Sequence, residues 1–335
     1  MKITTTTTLK FIFIITIIFV LLQYNIVNIP NLSVFSEQIS KVFFICFLIT
    51  INITLGAYKW WLLLITFKYN ISYRISYLLY SVGVFFNSIM PGGFGGDVIK
   101  GTYLFKYIQE DYRTQSILTI IVDRIVGMHA LITLCLLSGL YISKNTAVDK
   151  QFSNIIDILS LITLLMLILL GLVILNAHNI KIFIEKKTKI KIKRVKEITI
   201  KILNALQKYR EKKSSLLVCW IISLVNHCVF IYGFLIMSKI LNILFINLDT
   251  ITFITSASLL ANYIPLTPGG IGIGEGTFNY LFISLLSQDH ILSNIAFGSI
   301  FFLTYRVIFT LVSILLGGLS FIMLKKPYYE IRNKE

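Results

Sequence analysis

Long apolar runs, separated by short polar or basic stretches, dominate the hydrophobic pattern of the chain. Six of them are long enough to cross a hydrocarbon layer of about 30 Å at about 1.5 Å of helix per residue. We therefore expect six membrane-spanning helices. They are Phe11–Ile29, Val42–Phe67, Ser116–Ser143, Ile155–Asn176, Ser215–Met237 and Asn294–Leu324.

The first of these runs also resembles a signal peptide, because it follows Lys2 and Lys10. Cleavage of a signal peptide requires small residues directly after the apolar run, whereas the first alanine of this sequence is Ala57. The run is therefore interpreted as a retained membrane span.

Two further apolar segments are short and are interrupted by glycine and proline. Half-helices of 10–16 residues that meet at such a turn reach only part of the way across a bilayer. We expect each pair to form a re-entrant hairpin, which enters and leaves the membrane on one side. The first pair is Ile75–Met90 and Val98–Tyr107, joined by Pro91-Gly-Gly-Phe-Gly-Gly-Asp97; the second is Ile251–Ile264 and Gly276–Leu286, joined by Pro265-Leu-Thr-Pro-Gly-Gly-Ile-Gly-Ile-Gly-Glu275.

The distribution of basic residues tests this arrangement, because cytoplasmic loops are enriched in lysine and arginine. Residues 181–213 hold thirteen of them against three glutamates, so this segment is interpreted as a basic cytoplasmic loop. With both hairpins re-entrant, every other basic cluster and both termini share its side, and the opposite loops hold four lysines. We therefore expect a multi-pass protein of the bacterial cytoplasmic membrane with cytoplasmic termini.

Composition agrees with a membrane location and excludes other classes. Hydrophobic residues make up 56% of the 335 residues, mean hydropathy is +0.82, and 14% of residues are charged. The net charge of +16 does not indicate nucleic-acid binding, because the basic residues lie between apolar runs. The four cysteines lie within apolar runs and form no pattern typical of disulfides or a metal site. No cofactor is expected.

The two interrupted segments belong to an internal repeat. A shift of 177 positions superposes Pro91-Gly-Gly-Phe-Gly95 on Pro268-Gly-Gly-Ile-Gly272. Each turn is preceded by a long span and followed by a span that contains an arginine, Arg124 or Arg306. The predicted fold is thus an all-α polytopic membrane protein of one domain, residues 1–335. It contains repeat one at 42–143 and an inverted repeat two at 215–324, each with a re-entrant Pro-Gly-Gly hairpin, plus additional spans.

Interrupted helices at matching positions of inverted repeats are typical of a transporter's binding site near the membrane midplane. The N-terminus of each second half-helix offers free N–H groups to an anion such as phosphate. Asp97 and Glu275 are interpreted as caps of those helices, a role that is compatible with a part in function. A mid-membrane arginine costs about 2.5 kcal/mol or more. We therefore expect Arg124 to pair with Asp97 or Asp123, and Arg306 with Glu275, or either arginine to bind a lipid phosphate.

Other polar residues in the apolar runs are given structural roles. Lys59-Trp60-Trp61 is interpreted as an anchor at the headgroup level, where tryptophan is favoured. His129 and His227 lie within spans and are interpreted as packing residues that make hydrogen bonds. Gly270-Ile-Gly-Ile-Gly274 is not a dinucleotide loop, because no βαβ unit surrounds it.

The motifs Asn87-Ser-Ile-Met-Pro-Gly-Gly-Phe-Gly-Gly-Asp97-Val-Ile-Lys and Pro265-Leu-Thr-Pro-Gly-Gly-Ile-Gly-Ile-Gly-Glu275, with Asp123-Arg124 between them, resemble a flippase-like family. That family is named after the transmembrane region of lysylphosphatidylglycerol synthase, and the resemblance covers roughly residues 10–325. In the better-known members such a membrane domain translocates an aminoacylated phospholipid, and the resemblance associates other stand-alone members with glycolipid or polyprenyl-linked sugar pathways. The soluble aminoacyl-transferase domain of the better-known members is not found here, so aminoacyl transfer is not implied. Lys100 stands where the family often has arginine.

The sequence thus favours a lipid flippase that moves an anionic phospholipid or a (poly)prenyl-phosphate-linked glycolipid between leaflets. Two alternatives stay open: a membrane-embedded transferase of an envelope-glycan pathway, and a non-transporting scaffold for a separate glycosyltransferase or synthase. No catalytic motif and no metal site is identified. The expected partners are the lipid and an envelope-glycan or phospholipid-modifying enzyme, and a homodimer is left open.

The candidate substrate-binding residues lie at the two hairpin turns and on the spans that follow them. They are Asn87, Pro91, Gly92, Gly93, Gly95, Asp97, Lys100, Asp123, Arg124, Asn262, Thr267, Pro268, Gly269, Gly270, Gly272, Glu275 and Arg306.

Overall fold

A computed structural model of the protein describes nearly two thirds of the chain. The described residues are 38–67, 69, 71–90, 95–109, 113–145, 153–166, 168, 209, 212–243, 246–263, 272–286 and 297–324. The predicted span Phe11–Ile29, the second half of Ile155–Asn176 and nearly all of the loop 181–213 lie outside them.

The described part is all-helical. Its helices are α1 (Ile39–Ile65), α2 (Tyr73–Ile89), α3 (Gly95–Leu104), α4 (Arg113–Asn145), α5 (Ser153–Met166), α6 (Lys213–Ile240), α7 (Leu248–Ala261), α8 (Ile273–Leu286) and α9 (Phe297–Leu324). Four of them, α1, α4, α6 and α9, are long and apolar enough to cross a membrane. This agrees with four of the predicted spans, and α2, α3, α7 and α8 correspond to the four predicted half-helices.

Local sequence signals explain where several helices begin and end. Ser72 caps α2, since its hydroxyl accepts a hydrogen bond from the Ile75 N–H. α2 ends before Pro91 because Met90 adopts an extended conformation, as a residue preceding proline does. α6 ends in a Schellman motif: Asn242 has a φ of +57°, and the Ile243 N–H donates to the Ser238 carbonyl at 2.8 Å.

The second half-helices begin earlier than expected. We predicted that they start just after the acids, whereas α3 and α8 begin at Gly95 and Ile273. Asp97 and Glu275 therefore lie inside the first helical turn, where a carboxylate interacts favourably with the unpaired N–H groups.

The helices pack as interlocked pairs. α1 lies against α6, α2 against α9, and α4 against α7, while α3 packs on α2 and α8 on α7. Glycines allow two of these close approaches: a Cβ at Gly139 would lie 2.9 Å from the Phe253 ring, and one at Gly317 would meet Phe85. The hydrophobic core is centred on Phe234 of α6, whose ring contacts Phe278 and Tyr305.

The Lys59-Trp60-Trp61 segment does not form the predicted interfacial anchor as a unit. Trp60 is fully buried and donates from Nε1 to the Thr119 hydroxyl, and Lys59 is 6% exposed. Trp61 is partly exposed. The hydropathy pattern missed this because Lys59 and Trp60 occupy the inner face of α1, where Lys59 has a charged partner.

Candidate functional site

A polar cavity of about 340 Å³ lies among seven helices: α1–α4, α6, α7 and α9. The candidate residues in its wall come from distant parts of the sequence. They are Asn87, Asp97, Lys100, Asp123, Arg124, Asn262 and Arg306. Pro91, Gly92, Gly93, Thr267, Pro268, Gly269 and Gly270 lie outside the described residues.

Arg124 of α4 pairs with Asp97, the first of the two partners expected from the sequence. Its Nε donates to Asp97 Oδ2 at 2.7 Å. The Asp97 side chain is largely buried, whereas the Arg124 side chain remains 30% exposed. The acid thus holds the Nε side of the guanidinium group, and part of the arginine side chain stays exposed.

Arg306 of α9 makes the corresponding pair with Glu275 of α8, as expected. Its Nη1 donates to Glu275 Oε1 at 2.5 Å. The other oxygen, Oε2, accepts a hydrogen bond from the Gly272 N–H at 2.8 Å, and Gly272 has a φ of +93°. Glu275 therefore caps the start of α8, one of the roles considered for it, and also pairs with the arginine expected from the sequence.

Two asparagines flank these helix starts in similar ways. Asn87 accepts a hydrogen bond from the Gly96 N–H at 2.8 Å through Oδ1. The Asn262 amide lies against Gly274, where a Cβ would collide with it. A side chain at Gly96 would likewise collide with the Gly83 carbonyl. In both places a glycine directly before the acid lets an asparagine approach the helix.

Asp123 takes a different partner from the one considered in the sequence. It pairs with Lys59 Nζ at 3.0 Å and with Lys100 Nζ at 3.9 Å, rather than with Arg124. Adjacent residues of a helix point in directions about 100° apart, so Asp123 and Arg124 face different neighbours.

Lys100 is enclosed more completely than a direct phosphate ligand would be. Its Nζ lies 3.3 Å from Asp97 Oδ1, and over the rings of Trp60 and Tyr80 at 4.5 and 5.0 Å from their centroids. Its side chain is 3% exposed. Carboxylates and aromatic faces both stabilise a buried ammonium group. Lys100 therefore joins the two aspartates from a buried position in the cavity wall.

The cavity also contains polar residues that sequence reasoning missed or assigned to packing. Asn52 of α1 donates from Nδ2 to the Asn226 carbonyl of α6 at 2.9 Å, and His227 contacts the Gly127 carbonyl through Nε2 at 3.0 Å. Lys59 is the most informative omission. The signal for all of them was a strongly polar residue inside a long apolar run, which costs free energy unless it finds a partner.

No group of three or more His, Cys, Asp or Glu side chains capable of holding a metal ion occurs among the residues that the structure describes. The wall of the cavity presents cationic and hydrogen-bonding side chains beside two aspartates. Lysine and arginine side chains recognise anions through charge-assisted hydrogen bonds.

The helices and the buried ion pairs define a multi-pass α-helical membrane protein with a polar cavity among its helices. The chain belongs to the family described as the lysylphosphatidylglycerol synthase TM region, which it matches over residues 8–317. It is similar to the UPF0104 membrane protein MJ1078 of Methanocaldococcus jannaschii, with 28% identity over 246 residues, or 72% of this chain and 95% of the relative. No solved structure matches it.

Proposed function

We propose that the protein moves a lipid with an anionic headgroup between the leaflets of the cytoplasmic membrane. The charge balance of the cavity is the main support. Counting described residues at the site, Lys59, Lys100, Arg124 and Arg306 oppose Asp97, Asp123 and Glu275, so four cations face three carboxylates. One net positive charge inside a membrane protein favours an anion, and a phosphate group matches the planar donor array of arginine.

The packing of the helices supports the two inverted repeats, with α1–α4 as the first and α6–α9 as the second. If each helix of one repeat is replaced by its counterpart in the other, the α2–α9 contact becomes the α7–α4 contact, and the α2–α3 contact becomes the α7–α8 contact. All four contacts occur. The α1–α6 contact maps onto itself. This reciprocity is what two copies related by a two-fold axis would produce. Re-entrant hairpins with both termini cytoplasmic remain the arrangement that fits the loop charges.

The two repeats differ in the chemistry of the residues at matching positions. The spacings that align the turns, the acids and the arginines are 177, 178 and 182 residues. At these spacings, the ionic cluster of repeat one aligns in sequence with buried apolar or aromatic residues of repeat two. The aligned positions are Lys59 and Ile236, Lys100 and Phe278, and Asp123 and Tyr305. Repeat one therefore supplies an internal ionic support, and repeat two supplies a packed core.

The proposed transport step exchanges ion-pair partners. A headgroup phosphate that enters the cavity competes with Asp97 for Arg124, and with Glu275 for Arg306. Lys100 and the Gly272 N–H then remain as partners for the two acids. Rocking of one repeat against the other would expose the same site to each leaflet in turn.

Reconstitution into liposomes tests this function. The purified protein is inserted into vesicles that contain phosphatidylglycerol or a polyprenyl-phosphate lipid with a fluorescent headgroup, and a membrane-impermeant quencher reports the leaflet. We expect movement of anionic lipids and slower movement of zwitterionic phosphatidylcholine. If the lipid stays in its leaflet but is chemically altered, the transferase alternative is identified instead. If the lipid neither moves nor is altered, a scaffold is favoured.

A further inference from the structure

A second cavity opens between α3 and α4, directly beside the polar one. This groove has a volume of about 440 Å³ and shares Asp97 and Arg124 with the polar cavity. The rest of its wall is almost entirely apolar. It comprises Val98, Gly101, Thr102, Phe105, Ile117, Ile120, Ile121 and Ile125. Both volumes fall in the range of about 300–1,000 Å³ typical of small-molecule sites.

We propose that this groove binds one hydrocarbon chain of the lipid whose anionic headgroup occupies the polar cavity. The inference rests on the proposed function and adds where the substrate's chain lies. The shared wall supports it: an amphipathic ligand with a phosphate at Arg124 has its apolar part next to Val98 and Ile121, which are 65% and 48% exposed. The groove continues from Arg124 towards Ile117, about 10 Å along α4 at 1.5 Å per residue.

The corresponding seam of the second repeat, between α8 and α9, is closed. The Asn279 side chain bridges it, because Oδ1 accepts hydrogen bonds from the Gly298 and Ser299 N–H groups at 3.0 and 3.3 Å. Aromatic rings fill it further, with Phe278 and Phe301 at 5.2 Å and Phe282 and Phe297 at 5.9 Å between centroids.

One sequence difference explains why only one seam is open. The spacing of 178 residues that pairs Asp97 with Glu275 pairs Gly101 with Asn279. Gly101 has no side chain to reach across to α4, and a Cβ there would meet Ile120 at an ordinary 3.4 Å. The position therefore has room for a Cβ, so close packing at the Cβ alone does not require a glycine. A path for a hydrocarbon chain does require a small residue there.

Photolabelling tests the groove without depending on transport. The protein is reconstituted into phosphatidylcholine vesicles together with phosphatidylglycerol that carries a diazirine midway along one acyl chain. The vesicles are irradiated, and the protein–lipid adducts are mapped by mass spectrometry. We expect adducts on α3 and α4 at Val98, Ile117 and Ile121, several-fold above those at Leu311 and Leu315, which are also exposed on α9. Equal labelling at both places, or equal labelling by a diazirine fatty acid without a phosphate, would overturn the proposal.

Matched variants complete the test. Gly101→Asn introduces the bridging residue of the closed seam and should reduce both labelling and transport, whereas Gly276→Asn, where a Cβ meets no described atom within 4 Å, should change neither. Ile121→Trp fills the groove from its outer side, and Leu311→Trp is its control. Transport without enrichment at the groove would refute this inference alone, and enrichment without transport in the unmodified protein would refute the proposed function alone.

Discussion

Arg124 and Asp97 form one ion pair that lies in the wall of both cavities. The guanidinium Nε atom donates to Oδ2 at 2.7 Å, and the pair separates the polar cavity from the apolar groove. A headgroup that displaced Asp97 from Arg124 would therefore act at the junction where the polar and apolar parts of a lipid meet.

Replacing either arginine should abolish transport without unfolding the protein. Arg124→Ala and Arg306→Ala remove charge-assisted hydrogen bonds of about 1.5–3 kcal/mol each, or roughly tenfold to a hundredfold in affinity. Asp97 and Glu275 keep Lys100 and the Gly272 N–H as partners, so folding should survive. The assay is headgroup quenching in liposomes, with Arg74→Ala on the exposed start of α2 as the control. Normal transport by both variants would show that the arginines only stabilise the bundle.

The cluster of Lys59, Asp123 and Lys100 should contribute mainly to stability. Lys59→Met removes one partner of a buried carboxylate, a change that typically costs about 3–5 kcal/mol. After Lys59→Met, Asp123 keeps only the longer pair with Lys100, at 3.9 Å; adding Asp123→Asn removes this weakly paired carboxylate, so the double variant should recover part of the loss. Thermal unfolding in detergent measures both effects. If the stability losses of the two single variants simply add in the double variant, Lys59 and Asp123 are not coupled.

The hairpin turns should tolerate no bulky side chain. Gly93→Leu and Gly270→Leu should impair transport, because a backbone that turns beside a headgroup has no space for a Cβ. Gly139 is unsuitable as a control although it lies in a continuous helix, since a Cβ there would approach Phe253. Gly318→Leu is suitable, because no described atom lies within 4 Å of a Cβ at that position. If all three leucine variants change transport equally, the turns are not part of the transport path.

Cysteine labelling should decide the membrane orientation. In a background in which Cys46, Cys135, Cys219 and Cys228 are replaced, Asp111→Cys and Lys191→Cys should react from the cytoplasmic side. His290→Cys should react from the opposite side, because the distribution of basic residues along the chain predicts that location for the 287–293 segment. Labelling of positions 111 and 191 from opposite faces would mean that one of the two predicted spans between them, Ser116–Ser143 or Ile155–Asn176, does not cross the membrane and that the repeats are not inverted.

The sequence alone determined the class of the protein and the approximate extent of its helices, because long apolar runs have few stable solutions other than helices in a bilayer. It also predicted Glu275 as a partner of Arg306 and Asp97 or Asp123 as a partner of Arg124, since a charge buried in a membrane requires a partner and few acids lie near the two turns. Glycine and proline marked the interruptions of the helices because each acts on the backbone at its own position. Glycine frees the backbone there, and proline restricts it.

Only the tertiary structure decided how the faces of those helices combine. Lys59 belongs to the site rather than to the interface because the inner face of α1 meets Asp123 of α4. The two seams differ because Asn279 reaches across to α9 whereas Gly101 cannot reach α4, a contrast that depends on how close each helix pair lies. Hydropathy reports whether a residue type suits lipid, but partners distant in sequence are set by the helix crossings, and these follow from packing of the whole bundle.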